Sequence, residues 1–438
     1  MAPPSSYLII GAGCFGASTA RALKQTHPDA DVVLLDPSPF PNPAAAAHDY
    51  NKIVRAEYDD RLYMALALEA KAAWAGADPV VAPFFHQVGA LWSITADRAE
   101  RLKRNYEELL GEGKAPLEVL AFEEVRERFP ALRSCKYGGG AEMCILSPKA
   151  GWAEAASALE AVIQAAVDAG VRYEAETAYK LMWGDRDTCV GAVTLEGHTF
   201  EADHTILCAG AYTPWLLAES APLRPELHAG ERILAAAVLM CLFKVPEGKT
   251  GLDRFKDHPV TVHPFGDFPG ECIPPGSPDG PDLAKCTHEF PYIRKVYHEA
   301  SKQEISVPPL SQTERMTWTR DLPDSLTANS AGVRDMFFGD SVQGMTPELY
   351  RLCWDAATPD EDWIISPHSA WKNLYIAGGG SFHAFKFLPI IGKYVVQMIH
   401  GELPEEHARR WAWDRKMVPI TTPYTPRGDL REMVGYQD

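Results

Sequence analysis

Residues 7 to 16 read Tyr-Leu-Ile-Ile-Gly-Ala-Gly-Cys-Phe-Gly, and residues 31 to 36 read Asp-Val-Val-Leu-Leu-Asp. Two short apolar runs thus flank a glycine turn and a small-residue helix, which is the pattern of a βαβ unit. Gly11 permits the tight turn, Gly13 lets backbone amides approach a pyrophosphate, and Gly16 allows the helix to pack closely on the strand. The sequence therefore predicts a bound dinucleotide rather than a coincidental glycine turn.

Asp36 ends the second apolar run, at the distance from Gly16 where a carboxylate accepts hydrogen bonds from a ribose. A carboxylate there favours a free 2′-hydroxyl over the phosphate of NADP, but it does not separate NAD from FAD. Cys14 and Phe15 lie inside the glycine turn, so they are further candidates for cofactor contact.

The composition is that of a globular protein that acts on a small molecule. The chain has 438 residues, of which 46% are hydrophobic and 23% charged, enough for two domains that share an interface. Its net charge of −17 predicts that it repels nucleic acid and anionic membranes, and that an anionic substrate needs locally placed cations. Nine cysteines without CxxC pairs indicate a reducing compartment and no zinc site.

The chain shows no targeting or membrane segment. The apolar run from Ile233 to Phe243 lies between Arg232 and Lys244 and is shorter than the roughly 20 residues that cross a bilayer, so we expect a buried strand there. We find no signal peptide and no C-terminal peroxisomal tripeptide. We therefore expect a cytoplasmic protein without a membrane partner.

Two later strands also end in small residues, where backbone can approach a nucleotide. One runs into Ala209-Gly210, and the other into Gly378-Gly379-Gly380. The fold predicted is α/β, with a Rossmann-type nucleotide-binding domain built from three discontinuous segments, 1–83, 145–220 and 340–438. Apolar strands and proline-rich loops follow Ile233, so residues 84–144 and 221–339 are predicted to form an α+β substrate domain with an antiparallel or mixed sheet.

Together these pieces resemble the family of monomeric sarcosine oxidase, fructosyl amino acid oxidase (amadoriase) and saccharopine–pipecolate oxidase. These are flavoenzymes of the glycine oxidase/D-amino acid oxidase superfamily. The resemblance covers nearly the whole chain and is most specific at Cys353-Trp354 and at residues 380–389, Gly-Ser-Phe-His-Ala-Phe-Lys-Phe-Leu-Pro. It implies a D-amino acid oxidase-like fold, FAD as the cofactor, and cofactor contacts from Gly380, Phe382, Phe385 and Lys386.

The resemblance also implies roles for five side chains. Cys353 would carry FAD through a thioether to its 8α-methyl carbon, although the residues alone indicate a buried structural cysteine. Arg55 and Lys386 would bind the substrate carboxylate, instead of being a solvated basic corner and a surface lysine. Lys285 and Lys52 match two positions for a lysine near flavin N5, whose charge assists the reaction with oxygen.

The function implied is oxidation of a secondary, N-substituted amino acid of the sarcosine, pipecolate or saccharopine kind by a monomeric enzyme, with reduction of O2 to H2O2. The resulting imine would hydrolyse in water. The chain departs from the fructosyl branch at Ala47-His48 and at Asp355-Ala356-Ala357. A fructosyl amino acid oxidase, or an amine oxidase of secondary metabolism, is therefore the alternative. An NAD-dependent dehydrogenase and a catalytically silent nucleotide-binding protein are further classes left open by the residues themselves.

Overall fold

A computed structural model describes residues 5–276, 282–309 and 317–436. Its first sheet, here the nucleotide sheet, has six strands in the order Ile364–Pro367, Leu374–Gly378, His204–Leu207, Ser6–Ile10, Asp31–Asp36 and Arg172–Ala175. All neighbours are parallel except the first pair. Helix Cys14–Thr26 connects Ser6–Ile10 to Asp31–Asp36, the two strands of the predicted βαβ unit. The strands come from three separated parts of the chain, as the sequence predicts.

The glycine turn explains why the helix starts so close to the sheet. Gly11 has a φ of +103°, and a Cβ there would lie 2.4 Å from the carbonyl oxygen of Cys208. A Cβ on Gly16 would lie 1.8 Å from the carbonyl oxygen of Gly11. A Cβ on Gly13 would meet nothing within 4 Å. Two of the three glycines are thus required by backbone packing, whereas the third faces open space.

A second, larger sheet is mixed. Its strands, in spatial order, are Thr346–Ala357, Leu234–Lys244, Leu283–Ile293, Gly270–Ile273, Val260–His263, Ala90–Ile94, Met143–Ser147 and Glu118–Leu120, and the short strand Gly428–Asp429 pairs with Leu283–Ile293. Val260–His263 runs parallel to Ala90–Ile94, while the pairs along the rest of the order are antiparallel. The predicted buried strand at Ile233 to Phe243 is therefore an inner strand of this sheet.

One strand of the large sheet comes from a segment predicted for the nucleotide-binding domain. Thr346–Ala357 follows the predicted boundary at 340, yet it pairs along its length with Leu234–Lys244 in the large sheet, with Cys353 opposite Val238. Its apolar residues are buried by this pairing, which the sequence did not reveal. The predicted boundary between 144 and 145 likewise falls inside strand Met143–Ser147. The division into two domains at those boundaries stays a prediction.

Three small sheets and the helices complete the described fold. The small sheets comprise Ala178–Gly184, Thr188–Thr194 and Thr199–Glu201; Lys52–Val54, Gly151–Ala153 and Phe85–His86; and Lys295–His298 with Gln303–Ser306. The α-helices are Cys14–Thr26, Arg61–Ala72, Ala96–Leu110, Phe122–Arg128, Ala155–Asp168, Thr213–Ser220, Asp324–Phe338, Ile391–Ile399 and Glu405–Arg410. Within the described ranges, none of these helices has the length and apolarity needed to cross a membrane.

The apolar pattern of the sequence also predicts a strand from Phe84 to Thr95 and a helix from Ala153 to Ala169, and the structure differs from both mainly at their ends. The strand predicted from Phe84 to Thr95 is two strands, because Gly89 adopts a φ of +82° and interrupts it. The helix predicted from Ala153 to Ala169 is Ala155–Asp168, since Gly151 and the next two residues form a strand first. Periodicity therefore located these elements, but backbone pairing set their bounds.

The glycine turn yields a matched pair of substitutions. Gly16→Ala should lower the free energy of unfolding by about 1–3 kcal/mol, because the new methyl group meets the Gly11 carbonyl. Gly13→Ala should change it by less than about 0.5 kcal/mol, since its Cβ has free space. Urea unfolding of nucleotide-free protein measures both. Equal losses in the two variants would contradict this packing argument.

Candidate active site

A cavity of about 750 Å³ is lined by residues from both the nucleotide sheet and the large sheet. It brings together all but one of the predicted site residues: Gly11, Gly13, Cys14, Phe15, Asp36, Lys52, Arg55, Ala209, Gly210, Lys285, Cys353, Gly380, Phe382, Phe385 and Lys386. Gly16 does not line the cavity; it packs behind the turn, against Gly11. The predicted residues thus share one cavity, and their individual roles stay predictions.

The nucleotide end of the cavity is built around Asp36. One carboxylate oxygen accepts a hydrogen bond from the Ala12 amide at 2.8 Å, and the other accepts one from the Asn42 side chain at 2.7 Å. Burial raises the pKa of Asp36 to about 6, although these donors oppose the rise. Hydroxyl donors from a ribose would add to the same set. The open space at Gly13 and this carboxylate fit a dinucleotide.

Next to the cavity, in contact with Lys52 and Lys285 that line it, lies a buried carboxylate that the sequence analysis did not select, Asp49. Its Oδ2 atom accepts hydrogen bonds from Lys285 at 2.8 Å and from Lys52 at 2.9 Å. Lys285 also donates to the backbone carbonyl of Asn51. Burial alone would raise the pKa of Asp49, but the two lysines hold it well below its usual range. The two lysines, predicted as alternatives, therefore form one charged group.

An arginine on the large sheet fixes the segment that lines the cavity after Asp36. Arg351 is buried and donates to the carbonyl of Ala45 at 2.9 Å and to that of His48. Two residues further along the same strand, Cys353 points to this segment as well, with its sulfur 3.9 Å from the carbonyl oxygen of Ala46. Arg351 and Cys353 are two residues apart in a strand, so their side chains point to the same face. This spacing was the sequence signal that could have placed both beside the same segment.

Two cations line the cavity without a carboxylate partner among the residues that the structure describes. The Arg55 guanidinium lies 4.7 Å from the ring centre of Tyr58 and 4.4 Å from that of Trp92. The Lys386 ammonium donates to the Tyr58 hydroxyl at 2.9 Å and to the His383 carbonyl at 2.7 Å. Burial and the nearby Arg55 hold the pKa of Lys386 well below its usual value. An anion between these side chains would remove this electrostatic cost.

The glycine turn before Lys386 is held by another missed residue, Asp355. Its carboxylate accepts a hydrogen bond from the Phe382 amide at 2.7 Å, and Phe382 has a φ of +62°. A Cβ on Gly380 would lie 3.2 Å from this carboxylate. The residue at which the chain departs from the fructosyl branch thus positions the turn that carries Phe382 into the cavity.

Two glutamates, Glu271 and Glu289, lie on neighbouring strands of the large sheet. Thr287 donates to Glu271, which lines the cavity, at 3.1 Å. Tyr424 donates to Glu289 at 2.8 Å. Burial, and then the charge of Glu271, raises the pKa of Glu289 to about 8. Neither glutamate was selected from the sequence, because only strand pairing and a distant tyrosine place them there.

Comparison with known proteins decides the family. The family described as FAD dependent oxidoreductase (DAO) matches residues 6–398. The chain belongs to this family. This assignment confirms FAD as the cofactor, the predicted fold class and an oxidoreductase activity, in place of the NAD-dependent and catalytically silent alternatives.

Relatives of this FAD-dependent oxidoreductase align along nearly their whole length. L-saccharopine oxidase of Schizosaccharomyces pombe is 29% identical over 93% of this chain and 92% of its own. Human peroxisomal sarcosine oxidase is 24% identical over 89% and 91%. A solved structure, a modified fructosyl peptide oxidase from Aspergillus nidulans in complex with FSA, is 27% identical, covers 100% of both chains and has a TM-score of 0.82. The predicted resemblance is confirmed.

The Asp49 group predicts a pH-dependent loss of stability. Asp49→Asn leaves the buried Lys285 and the half-buried Lys52 without their counter-ion, so the free energy of unfolding should fall by about 3–5 kcal/mol at pH 7. Because the lysines depress the pKa of Asp49, their stabilisation is fully present above the ordinary aspartate pKa of about 4 and is lost as the pH falls below it. The difference in unfolding free energy between wild type and Asp49→Asn should therefore become smaller at acidic pH.

Asp59→Asn is a matched control for this experiment. Asp59 also binds two cations, Arg98 and Arg101, but its side chain is 43% exposed, so its loss should cost at most about 1 kcal/mol. Denaturant unfolding between pH 3 and pH 7 measures both variants. A gap for Asp49→Asn that stays constant over this range would contradict the ion-pair interpretation.

Proposed function

We propose that this FAD-dependent oxidoreductase oxidises a secondary, N-substituted amino acid, using O2 as the electron acceptor and releasing H2O2. The observation that carries the proposal is the pair Arg55 and Lys386, two cations that line the cofactor cavity without a carboxylate partner among the described residues. A protein of net charge −17 that places two cations there is suited to a substrate carboxylate.

The chain's side chains divide the remaining tasks. Bound FAD would supply the redox chemistry, as the acceptor of a hydride from the carbon beside the amine and the donor of electrons to oxygen. Arg55 and Lys386 orient the substrate through its carboxylate, and the rings of Tyr58 and Trp92 hold the Arg55 guanidinium in place. Lys285 provides a fixed positive charge that stabilises the negative charge developing on oxygen. The imine product hydrolyses in water.

The substrate type follows from the relatives and from one departure. Two relatives are named for the oxidation of saccharopine and sarcosine, both N-substituted amino acids. Solved fructosyl peptide oxidases share the fold, which keeps a fructosyl amino acid as the second candidate. The chain departs from the fructosyl branch at Asp355-Ala356-Ala357. This supports a substrate without a sugar. A monomeric state and a cytoplasmic location stay predictions.

Cys353 is the residue that we propose for covalent attachment of the flavin. Cys14, Cys208 and Cys353 all line the cavity. Burial raises the pKa of the Cys14 and Cys208 thiols well above the usual value, which disfavours the thiolate needed for bond formation. Cys353 lies on a different element, the large-sheet strand beside the loop that Arg351 fixes.

The substrate proposal is tested by Arg55→Met. The Michaelis constant for an N-methyl amino acid should rise roughly tenfold to a hundredfold, because a charge-assisted contact contributes about 1.5–3 kcal/mol. An amine without a carboxylate should be unaffected. Arg98→Met is the control, since Arg98 lies 5.7 Å from the same Trp92 ring but does not line the cavity. Faster turnover of fructosyl-valine than of N-methyl amino acids would overturn the substrate type alone.

The linkage proposal is tested by acid precipitation. Wild-type protein should give a yellow trichloroacetic acid pellet, and Cys353→Ala a white pellet with a yellow supernatant. Cys208→Ser should keep the colour in the pellet, because its thiol is not the attachment point. A wild-type supernatant that takes all the colour would rule out covalent attachment.

The oxygen proposal is tested with enzyme reduced under anaerobic conditions. On mixing with oxygenated buffer, Lys285→Met should reoxidise roughly 100- to 1000-fold more slowly than wild type, since one preorganised charge is removed. Reduction by substrate should change much less. Lys52→Met is the matched variant, because both lysines bind Asp49. A larger effect in Lys52→Met would assign the charge to Lys52.

A further inference from the structure

One wall of the cavity carries a carboxylate, opposite in charge to Arg55 and Lys386, the cations proposed to bind the substrate carboxylate. Strand Leu283–Ile293 carries Lys285, Thr287 and Glu289 at alternate positions, and all three are buried. The antiparallel neighbour strand places Glu271 directly opposite Thr287. Glu271 therefore lines the cavity from the same face of the large sheet as Lys285, the lysine proposed for oxygen chemistry.

Glu271 forms no salt bridge within the described part of the chain, although its charge acts on Lys386 and favours a higher pKa of that ammonium. Its one hydrogen bond there comes from the neutral Thr287 hydroxyl. Its neighbour Glu289 accepts a hydrogen bond from the Tyr424 hydroxyl and is itself a carboxyl group, so it cannot act as a counter-ion for Glu271. The side chain of Glu271 is only partly buried, which leaves carboxylate oxygen available to a molecule in the cavity.

A second, independent observation indicates a polar ligand in this cavity. Trp92 lines it, is 7% exposed, and its indole nitrogen has no hydrogen-bond partner among the described residues. A buried N–H group without a partner is costly, so an acceptor on the ligand would satisfy it. The Arg55 guanidinium lies against the same ring, so this acceptor belongs to the carboxylate side of the ligand.

We infer that the substrate carries a second, positively charged nitrogen in addition to the amine that is oxidised, and that Glu271 binds it. The substrate class is thus an N-substituted amino acid with a side-chain ammonium group. Arg55, Lys386 and Trp92 take its carboxylate, while Glu271 takes the ammonium. This rests on the proposed function and narrows its substrate; Glu271 is assigned to specificity, not to the chemical step.

The experiment compares Nα-methyl-lysine with Nα-methyl-norleucine, which has the same four side-chain carbons but lacks the terminal ammonium. Anaerobic flavin reduction is followed for wild type and Glu271→Gln. In wild type, the substrate concentration that gives half the limiting rate of reduction should be roughly tenfold or more lower for the lysine compound than for the norleucine compound. Glu271→Gln should remove most of this difference and leave the norleucine compound within about twofold. Glu247→Gln, at an exposed glutamate, is the matched control.

The outcomes separate three cases. If both N-methyl compounds reduce the wild-type flavin equally well, the ammonium site is wrong but the proposed function stands. If neither reduces it, nor any other N-substituted amino acid, the proposed function itself fails. If Glu271→Gln slows the limiting rate of reduction equally for both compounds, Glu271 acts in the chemistry or the fold, and the specificity assignment is overturned.

Discussion

The site depends on one buried carboxylate that is shared by two lysines. Asp49 lies in the segment after the nucleotide sheet, Lys52 on a small sheet beside it, and Lys285 on an inner strand of the large sheet. Since a buried charge without partners is costly, the three groups must meet for any of them to be tolerated. The same contact therefore joins the cofactor-binding and substrate-facing parts of the molecule and sets the distance between them.

The two cations in the cavity are opposite in sign to the net charge of the whole protein. The chain as a whole is strongly acidic, yet Arg55 and Lys386 lie in the cavity without a carboxylate partner among the described residues. Such separation is stable only where aromatic rings and neutral acceptors support the cations, as Tyr58 does for both. A zwitterionic substrate would complete these contacts, so binding and stabilisation of the site go together.

Local sequence was sufficient for the features set by neighbouring residues. The turn from Gly11 to Gly16 follows from backbone packing within one βαβ unit, and it lies where predicted. Asp49, Glu271 and Tyr424 could not be found in this way, because each acquires its role from a residue far along the chain. The pairing of strand Thr346–Ala357 with the large sheet was not predicted for the same reason, since an apolar strand does not itself specify its partner.

The wall of the cavity at Glu289 is completed by residues far from the nucleotide turn in sequence. Tyr424 stacks on Phe382 with ring centres 5.4 Å apart, Arg427 lies over Phe290, and Gly428–Asp429 adds a short strand beside Leu283–Ile293. During synthesis, the nucleotide turn leaves the ribosome first and this wall almost last. Since the nucleotide sheet also needs the late strands Ile364–Pro367 and Leu374–Gly378, the nascent protein presents an open and unfinished catalytic chamber until nearly the whole polypeptide has been translated.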